Sequence, residues 1–522
     1  MHSFAALTLL LALATSANGL SLTIPSTVPK DASKPVDPDF AGFAFEEASL
    51  NEYALDESGK PNQFSQDLIH EITKRTGGKA LIRLGGTSAD YAHYIPTQKT
   101  PVLPKAEVYN YQDVGNTTIG SSYWKLTESF PEAKWIIQLP LANPNLTESI
   151  EWARTAINTI GEDKIYAIEP GNEPDLYGRV SKPELKPPHF LGILDNETYV
   201  GNFTRNANAV AEAADLPPGR ILQAFDTSVH LGRDVGAEAW VLDVEKCFGL
   251  GIDAANNIQS VAHHYYQTNG GSATTLEEGL MDHAKIASHL DLFRPAINWL
   301  AENKPQIAYI MSEIGNSLNR KHDYDYQASL GSALWQVDFQ LYSLSIGVAR
   351  FNFQQIMHSG FDLWLPVASG GMPPQVFSNF YAQPLVTDFV GTGGKTRVAK
   401  LADLAPNVIA YGAFVGDRAE RVTIVNMNYW NRTSSGRERG GRDIDLQVPS
   451  DVKSVTLTRL TSPEGAGGKA DSMTYAGSQW TFESLGKEVK GVRNDTKQLA
   501  PKDNKVTFKA MQSEVVLLHL RR

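Results

Sequence analysis

Between residues 38 and 390 short apolar runs alternate with longer amphipathic segments. The strand-like runs are Ala41–Phe45, Ala80–Leu84, Trp135–Leu139, Ile165–Ile168, Ile221–Ala224, Ser260–His264, Ile307–Ser312 and Val348–Phe353. Between them, apolar residues recur at helical spacing in 64–75, 150–160, 203–214, 290–302 and 328–345. Short strands that are apolar on both faces belong to a covered parallel sheet. Eight strand–helix units predict a (β/α)8 TIM barrel with long loops. A doubly wound sheet is the alternative, but the first strand is followed by no Gly-rich phosphate turn.

Beyond about residue 391 the pattern changes. Val408–Val415, Arg421–Met427, Asp443–Val448, Val452–Leu460 and Lys505–Leu520 have strand character and turn residues between them, with no long helical period. These predict a C-terminal antiparallel β-sandwich domain over 391–522. Residues 20–37 precede the barrel, and Ser21–Ile24 is expected to add a strand to that sandwich.

Residues 1–19 read as a signal peptide. Phe4 to Ala14 is apolar, and Ala17-Asn18-Gly19 offers small residues for cleavage. The run is short for a membrane span of roughly 20 residues. The expectation is therefore a secreted chain with no membrane contact after cleavage, and a monomer. The sequons at Asn116, Asn145, Asn196, Asn202, Asn431 and Asn494 are candidate glycosylation sites and agree with secretion. The single cysteine, Cys247, can form no intramolecular disulfide and reads as a small buried apolar side chain. With 42% apolar and 20% charged residues the composition is that of a globular protein. The net charge of −11 opposes a nucleic-acid partner. The basic cluster Arg437, Arg439 and Arg442 reads as a solvated loop.

Two carboxylates stand at the ends of barrel strands. In Ile168-Glu169-Pro170-Gly171-Asn172-Glu173-Pro174, Glu173 follows the fourth strand. Gly171 lets the chain turn and Pro174 stiffens it. A carboxyl on a rigid strand end can serve as a proton donor, and Asn172 can donate its amide to a sugar hydroxyl. In Tyr309-Ile310-Met311-Ser312-Glu313, Glu313 closes the apolar seventh strand. A carboxylate at that position is costly unless a function requires it. Catalytic residues of barrel enzymes sit at this end of the strands. Strands four and seven face each other across the mouth. Carboxyls about 5–5.5 Å apart would make a nucleophile and an acid/base, and cleavage would retain anomeric configuration. The sixth strand ends in His263-His264-Tyr265-Tyr266. Alternation places His263 and Tyr265 on one face, with the Tyr265 hydroxyl expected to reach Glu313. Adjacent histidines point to opposite faces and no third ligand stands at a usual spacing, so no metal is expected. No serine-hydrolase, P-loop or H-E-x-x-H motif is present.

Asn172-Glu173-Pro174, Ser312-Glu313, residues 263–266, Arg83-Leu84-Gly85-Gly86-Thr87 and Phe43-Ala44-Phe45-Glu46 together resemble glycoside hydrolase family 79, the β-glucuronidase and heparanase family. The resemblance covers nearly the whole chain after the leader. It implies Glu173 as acid/base, Glu313 as nucleophile, Asn172 on the sugar 2-hydroxyl and Glu46 on another ring hydroxyl. It implies Tyr265 orienting Glu313, with His263 beside it, and no cofactor. Arg83 is expected either in a structural ion pair beneath the site or on the sugar. Family glucuronidases often bind the uronate carboxylate with a Gly-Tyr pair after the eighth strand. Here that pair is Gly360-Phe361, and Phe361 has no hydroxyl. The Gly360 backbone, Tyr324, Tyr326 and His358 are the alternatives.

The function expected is a secreted retaining exo-β-glucuronidase acting on terminal β-linked glucuronic acid or its 4-O-methyl ether, with carbohydrate as its partner. A retaining β-glucosidase or β-xylosidase for a neutral sugar is one alternative. A non-catalytic carbohydrate-binding protein is the other, and an intact Glu pair argues against it.

Overall fold

A computed structural model describes residues 19–108, 117–142, 146–177, 195–214, 216, 218–228, 242–268, 275–318, 324–357, 360 and 362–522. Eight parallel strands close into a barrel: Ala41–Glu46, Leu81–Gly85, Lys134–Leu139, Ile165–Pro170, Leu222–Thr227, Ile258–Thr268, Ala308–Ser317 and Arg350–Gln355. The eighth strand pairs with the first, which leaves no open edge. Every strand expected from the apolar runs is present, in the expected order.

The helices between them start and stop on local chemistry. The helix Gln63–Thr76 begins where Asn62 accepts a hydrogen bond from the Ser65 amide, and it ends at Gly77 with φ +71°. Asp195 and Ser329 cap Asn196–Ala213 and Leu330–Ile346 in the same way.

The barrel interior has two levels. Leu81, Ile136, Ala167, Ala262 and Ile310 form an apolar plug low in the barrel. Two residues further along several strands, the inward positions turn polar: Arg83, Gln138, Glu169, His264 and Ser312. The site is built on this buried polar layer.

The C-terminal domain is two antiparallel layers, the N-terminal strand apart. The larger sheet runs Thr396–Ala405, Val408–Val415, Arg418–Asn426, Glu514–Arg521, Ser454–Thr461 and Thr474–Tyr475, with Lys497–Leu499 also on Ser454–Thr461. The smaller sheet holds Gly19–Thr23, Gly441–Gln447 and Lys505–Met511, the first two parallel. The run expected as one strand over 505–520 is two. It breaks at Gln512-Ser513, where Ser513 has φ +54°, and its halves enter opposite sheets. Strand Thr396–Ala405 was not anticipated; polar residues interrupt its apolar alternation.

The larger sheet is apolar on both faces. Ala410, Ile424, Val516 and Leu518 face the smaller sheet with Leu22, Ile444, Leu446 and Phe508. Ile409, Tyr411, Val425, Val515 and Leu517 join the barrel core instead. The helix Leu330–Ile346 lies beneath them with all but Ser345 buried. Such a helix shows little amphipathic pattern because it has no solvent face.

Candidate active site

The fourth strand carries Glu169 inward, then turns. Gly171 has φ +95°, and a Cβ there would lie 2.6 Å from Leu141 Cβ. Glu173 itself sits in the left-handed region at φ +50°, uncommon for a non-glycine residue. Its amide donates to the Asp226 carbonyl oxygen at 2.9 Å, which ties this turn to the end of the fifth strand.

The seventh strand solves a different problem. Alternation points Ile310 and Ser312 inward and Met311 toward the helices. A strictly alternating Glu313 would then face outward. Pairing shifts by one residue here: Met311 pairs with His263, and Glu313 pairs with His264. This bulge turns Ser312 and Glu313 inward together.

One oxygen from each of Glu173 and Glu313, with a ring nitrogen of His264, lie within 4.8 Å of one another. The two carboxylate side chains keep 13% and 10% of their surface exposed, so both reach solvent. Glu313 Oε2 accepts from Arg83 Nη1 at 2.8 Å, and its Oε1 accepts from the Tyr266 hydroxyl at 2.7 Å. His264 Nδ1 is 3.3 Å from Glu173 Oε1 and 3.9 Å from Glu313 Oε2. Burial pushes the His264 imidazole down, but the charge on Glu313 and the contact with Glu173 outweigh it and hold its pKa above the ordinary value. These three side chains are close enough to share a metal ion. The Arg83 guanidinium already occupies Glu313 Oε2 and would compete with one.

Arg83 lies fully buried beneath the pair. Nε donates to both Glu169 oxygens, Nη2 to Glu169 Oε1 at 2.6 Å and to Asn172 Oδ1 at 2.7 Å. It therefore sits in an ion network under the site. Its bond orients Asn172 and leaves the buried Nδ2 of that amide without a protein partner.

The glycines after Arg83 are dictated by neighbours. A Cβ on Gly85 would lie 2.4 Å from Gln138 Oε1. Gly86 has φ +96°, and a Cβ there would lie 2.1 Å from Glu46 Oε2. Glu46 Oε1 accepts from the Ser88 amide and hydroxyl, each at 2.6 Å, and its Oε2 accepts from Gln354 Nε2. Burial, helped by the charge on Glu313, lifts Glu46 to about 7 against the Ser88 bonds and Arg83.

The expected roles of His263 and Tyr265 do not hold. Tyr265 is fully buried among the helices, where it packs at a tilt against Phe339 and donates to Gln267 Oε1. His263 packs on Tyr309 and Phe225, and burial pushes it down to about 3. The inward face is the even one, Ser260, Ala262, His264 and Tyr266, so His264 and Tyr266 are the site residues. The small Ser260 and Ala262 were the available signal, because a narrow barrel interior admits small side chains.

Tyr324 is half-buried beside Phe377 and Lys469, and its hydroxyl lies 3.4 Å from Gln375 Oε1. Tyr326 donates to Thr268 Oγ1. Gly360 has φ +102°, and its carbonyl accepts from Asn379 Nδ2. Phe361 and His358 lie outside the described residues, as do Asn116 and Asn145. Sequence reasoning missed Gln354, Ser88 and Asp226, which carry no motif. Cys247 is buried, with Sγ 3.2 Å from Asn196 Oδ1.

The glycosyl hydrolase family 79 C-terminal beta domain matches residues 410–517. A β-glucuronidase of Neurospora crassa is 25% identical over 439 residues, 80% of this chain and 77% of that protein. One of Aspergillus niger is 25% identical over 498 residues, 90% and 88% of the two chains. Among solved structures, a 4-O-α-L-rhamnosyl-β-D-glucuronidase from Fusarium oxysporum 12S superposes with a TM-score of 0.77 at 20% identity. That match covers 96% of this chain and 100% of the other. A GH51 arabinofuranosidase from Xanthomonas axonopodis pv. citri gives 0.64 at 14% identity, covering 96% and 100%, and shares the fold. The protein is a glycoside hydrolase of the barrel type. Its C-terminal domain matches the family 79 model, and the curated relatives it resembles are β-glucuronidases.

Proposed function

We propose that the chain is a secreted retaining exo-β-glucuronidase releasing terminal β-linked glucuronic acid or its 4-O-methyl ether, with Glu313 as nucleophile and Glu173 as acid/base. The carrying observation is the approach of Glu173 and Glu313 to within 4.8 Å. That spacing suits direct attack by one carboxylate. It is shorter than the roughly 6.5–9.5 Å across which an inverting enzyme seats its water. Glu313, held in place by Arg83 and Tyr266, attacks the anomeric carbon. Glu173 gives its proton to the leaving oxygen, then withdraws one from the water that hydrolyses the glycosyl-enzyme. The buried Asn172 amide, aimed by Arg83, is the donor for the sugar 2-hydroxyl. Glu46, largely protonated below pH 7, is a donor for a second hydroxyl.

The glycone assignment is supported by the two curated relatives, both β-glucuronidases. The net charge of −11 favours a single terminal uronate over a polyanionic polymer. The N-terminal apolar run, the exposed sequon at Asn494 and those at Asn196, Asn202 and Asn431 support secretion. Among the described residues no helix is long and apolar enough to cross a membrane. A panel of nitrophenyl β-glycosides tests the assignment. The glucuronide should turn over far faster than the glucoside and xyloside. The reverse order would make the chain a neutral-sugar glycosidase, and binding without turnover would make it a carbohydrate-binding protein.

A further inference from the structure

We propose that Asp226 is a positioning residue that locks the two catalytic carboxylates to each other, its main chain holding Glu173 and its side chain holding the strand segment that carries Glu313. The inference rests on the roles proposed above for that pair. Asp226 is the penultimate residue of the fifth strand, which lies between the fourth and the sixth. Its carbonyl oxygen accepts from the Glu173 amide at 2.9 Å. Its Oδ1 accepts from the Ser312 hydroxyl at 2.6 Å and from Gln223 Nε2 at 2.8 Å.

These bonds close a ring. Gln223 Nε2 also donates to Glu169 Oε2, Glu169 holds Arg83, and Arg83 holds Glu313, the chain neighbour of Ser312. A second ring runs from Arg83 through Asn172 and Glu173 back to the Asp226 carbonyl. Asp226 belongs to both rings. Moving the Glu173 backbone or the strand segment that carries Glu313 must therefore break a buried hydrogen bond.

The backbone supports the same conclusion. Phe225, Asp226 and Glu173 have φ of +81°, +44° and +50°. A left-handed phenylalanine is a strained conformation that persists only where its surroundings impose it. Here the strain curls the strand end so that the Asp226 carbonyl meets the Glu173 amide while its side chain turns inward. Aspartate and asparagine tolerate this region better than most residues, which suits the position.

The test is a set of variants assayed on an aryl β-glucuronide, or on whichever nitrophenyl glycoside the panel selects. Asp226→Ala should lower kcat about 100-fold, as expected for misplacing a catalytic group by about 1 Å. KM should stay within about threefold, because substrate contacts are untouched. Asp226→Asn keeps the oxygen that accepts from Ser312 and Gln223, and should recover kcat to within about fivefold of wild type. Ser312→Ala should lower kcat about tenfold through the loss of one buried hydrogen bond. Adding it to Asp226→Ala should cost nothing further, because Asp226→Ala has already removed the bond that Ser312 makes. Wild-type kcat in Asp226→Ala, no recovery in Asp226→Asn, or additive losses in the double variant would each overturn the proposal. Should Asp226→Ala not accumulate folded, unchanged kcat in Ser312→Ala overturns it alone. Azide rescue of Glu313→Ala separates the two levels. If azide restores nothing, the assignment of catalytic roles fails. If azide restores turnover and the Asp226 series is flat, only the lock fails.

Discussion

The Tyr266 hydroxyl donates to Glu313 Oε1 at 2.7 Å, whereas its sequence neighbour Tyr265 points away and bonds Gln267. The adjacent tyrosines therefore have separable roles. Tyr266→Phe should lower kcat about 10–100-fold, the worth of a hydrogen bond to a charged group. Tyr265→Phe should leave kcat within about twofold and cost about 1 kcal/mol of stability, since the Gln267 oxygen loses one of its two donors and keeps only Trp335 Nε1. Steady-state kinetics and urea unfolding on both variants distinguish them.

Glu313→Ala should lose turnover and regain part of it with azide, which enters the vacated space and attacks the anomeric carbon. Glu173→Ala should retain most activity on substrates whose leaving groups need no proton. Rates across a series of aryl glycosides of graded leaving-group acidity measure both effects. Wild-type rates in either variant would refute the assigned roles.

Arg83 stands between Glu169 and Glu313 with no exposed surface. Removing one partner of a buried ion network leaves the others uncompensated. Arg83→Met should destabilise the fold by about 3–5 kcal/mol. Thermal unfolding should show a lower midpoint, and the surviving folded fraction should be inactive because Asn172 and Glu313 lose their shared anchor.

Gly86→Ala places a methyl group where Glu46 Oε2 now lies and forces a left-handed alanine. Glu46 must leave Ser88 or the turn must open. An increase in KM of at least about tenfold is expected from the lost sugar contact, with a Tm drop from the strained turn.

Glu52 is buried in the short helix Leu50–Ala54, and burial lifts its carboxyl to about 7, against a hydrogen bond from Asn51. A carboxyl raised on folding is protonated in the folded chain where the unfolded chain has already ionised. Its contribution to stability therefore falls as pH rises from about 4.5 to about 7. The size is about 3 kcal/mol. Glu52→Gln should be neutral near pH 4 and stabilising near pH 8. Unfolding curves at the two pH values provide the check.

All eight barrel strands were legible because a covered parallel sheet writes uninterrupted apolar runs. Glu173 and Glu313 were legible because charged residues at the ends of such runs need a reason. Two kinds of information were hidden. The facing of residues 263–266 depends on which parity enters the barrel, and the tyrosine on each face looks equally plausible from sequence. The inward turn of Glu313 depends on a bulge that no residue type announces. Asp226 was invisible for a related reason: its importance comes from which atoms converge on it. The split of 505–520 between two sheets was likewise hidden, because Gln512-Ser513 contains neither glycine nor proline.

The larger C-terminal sheet, greasy on both sides, leaves the barrel no independent existence. A chain truncated before Thr396 would uncover the helix Leu330–Ile346, whose whole circumference is matched to covered surroundings. It would aggregate rather than yield a smaller enzyme. The rear domain is thus one wall of the catalytic body, and any attempt to transplant this active site must carry that wall with it.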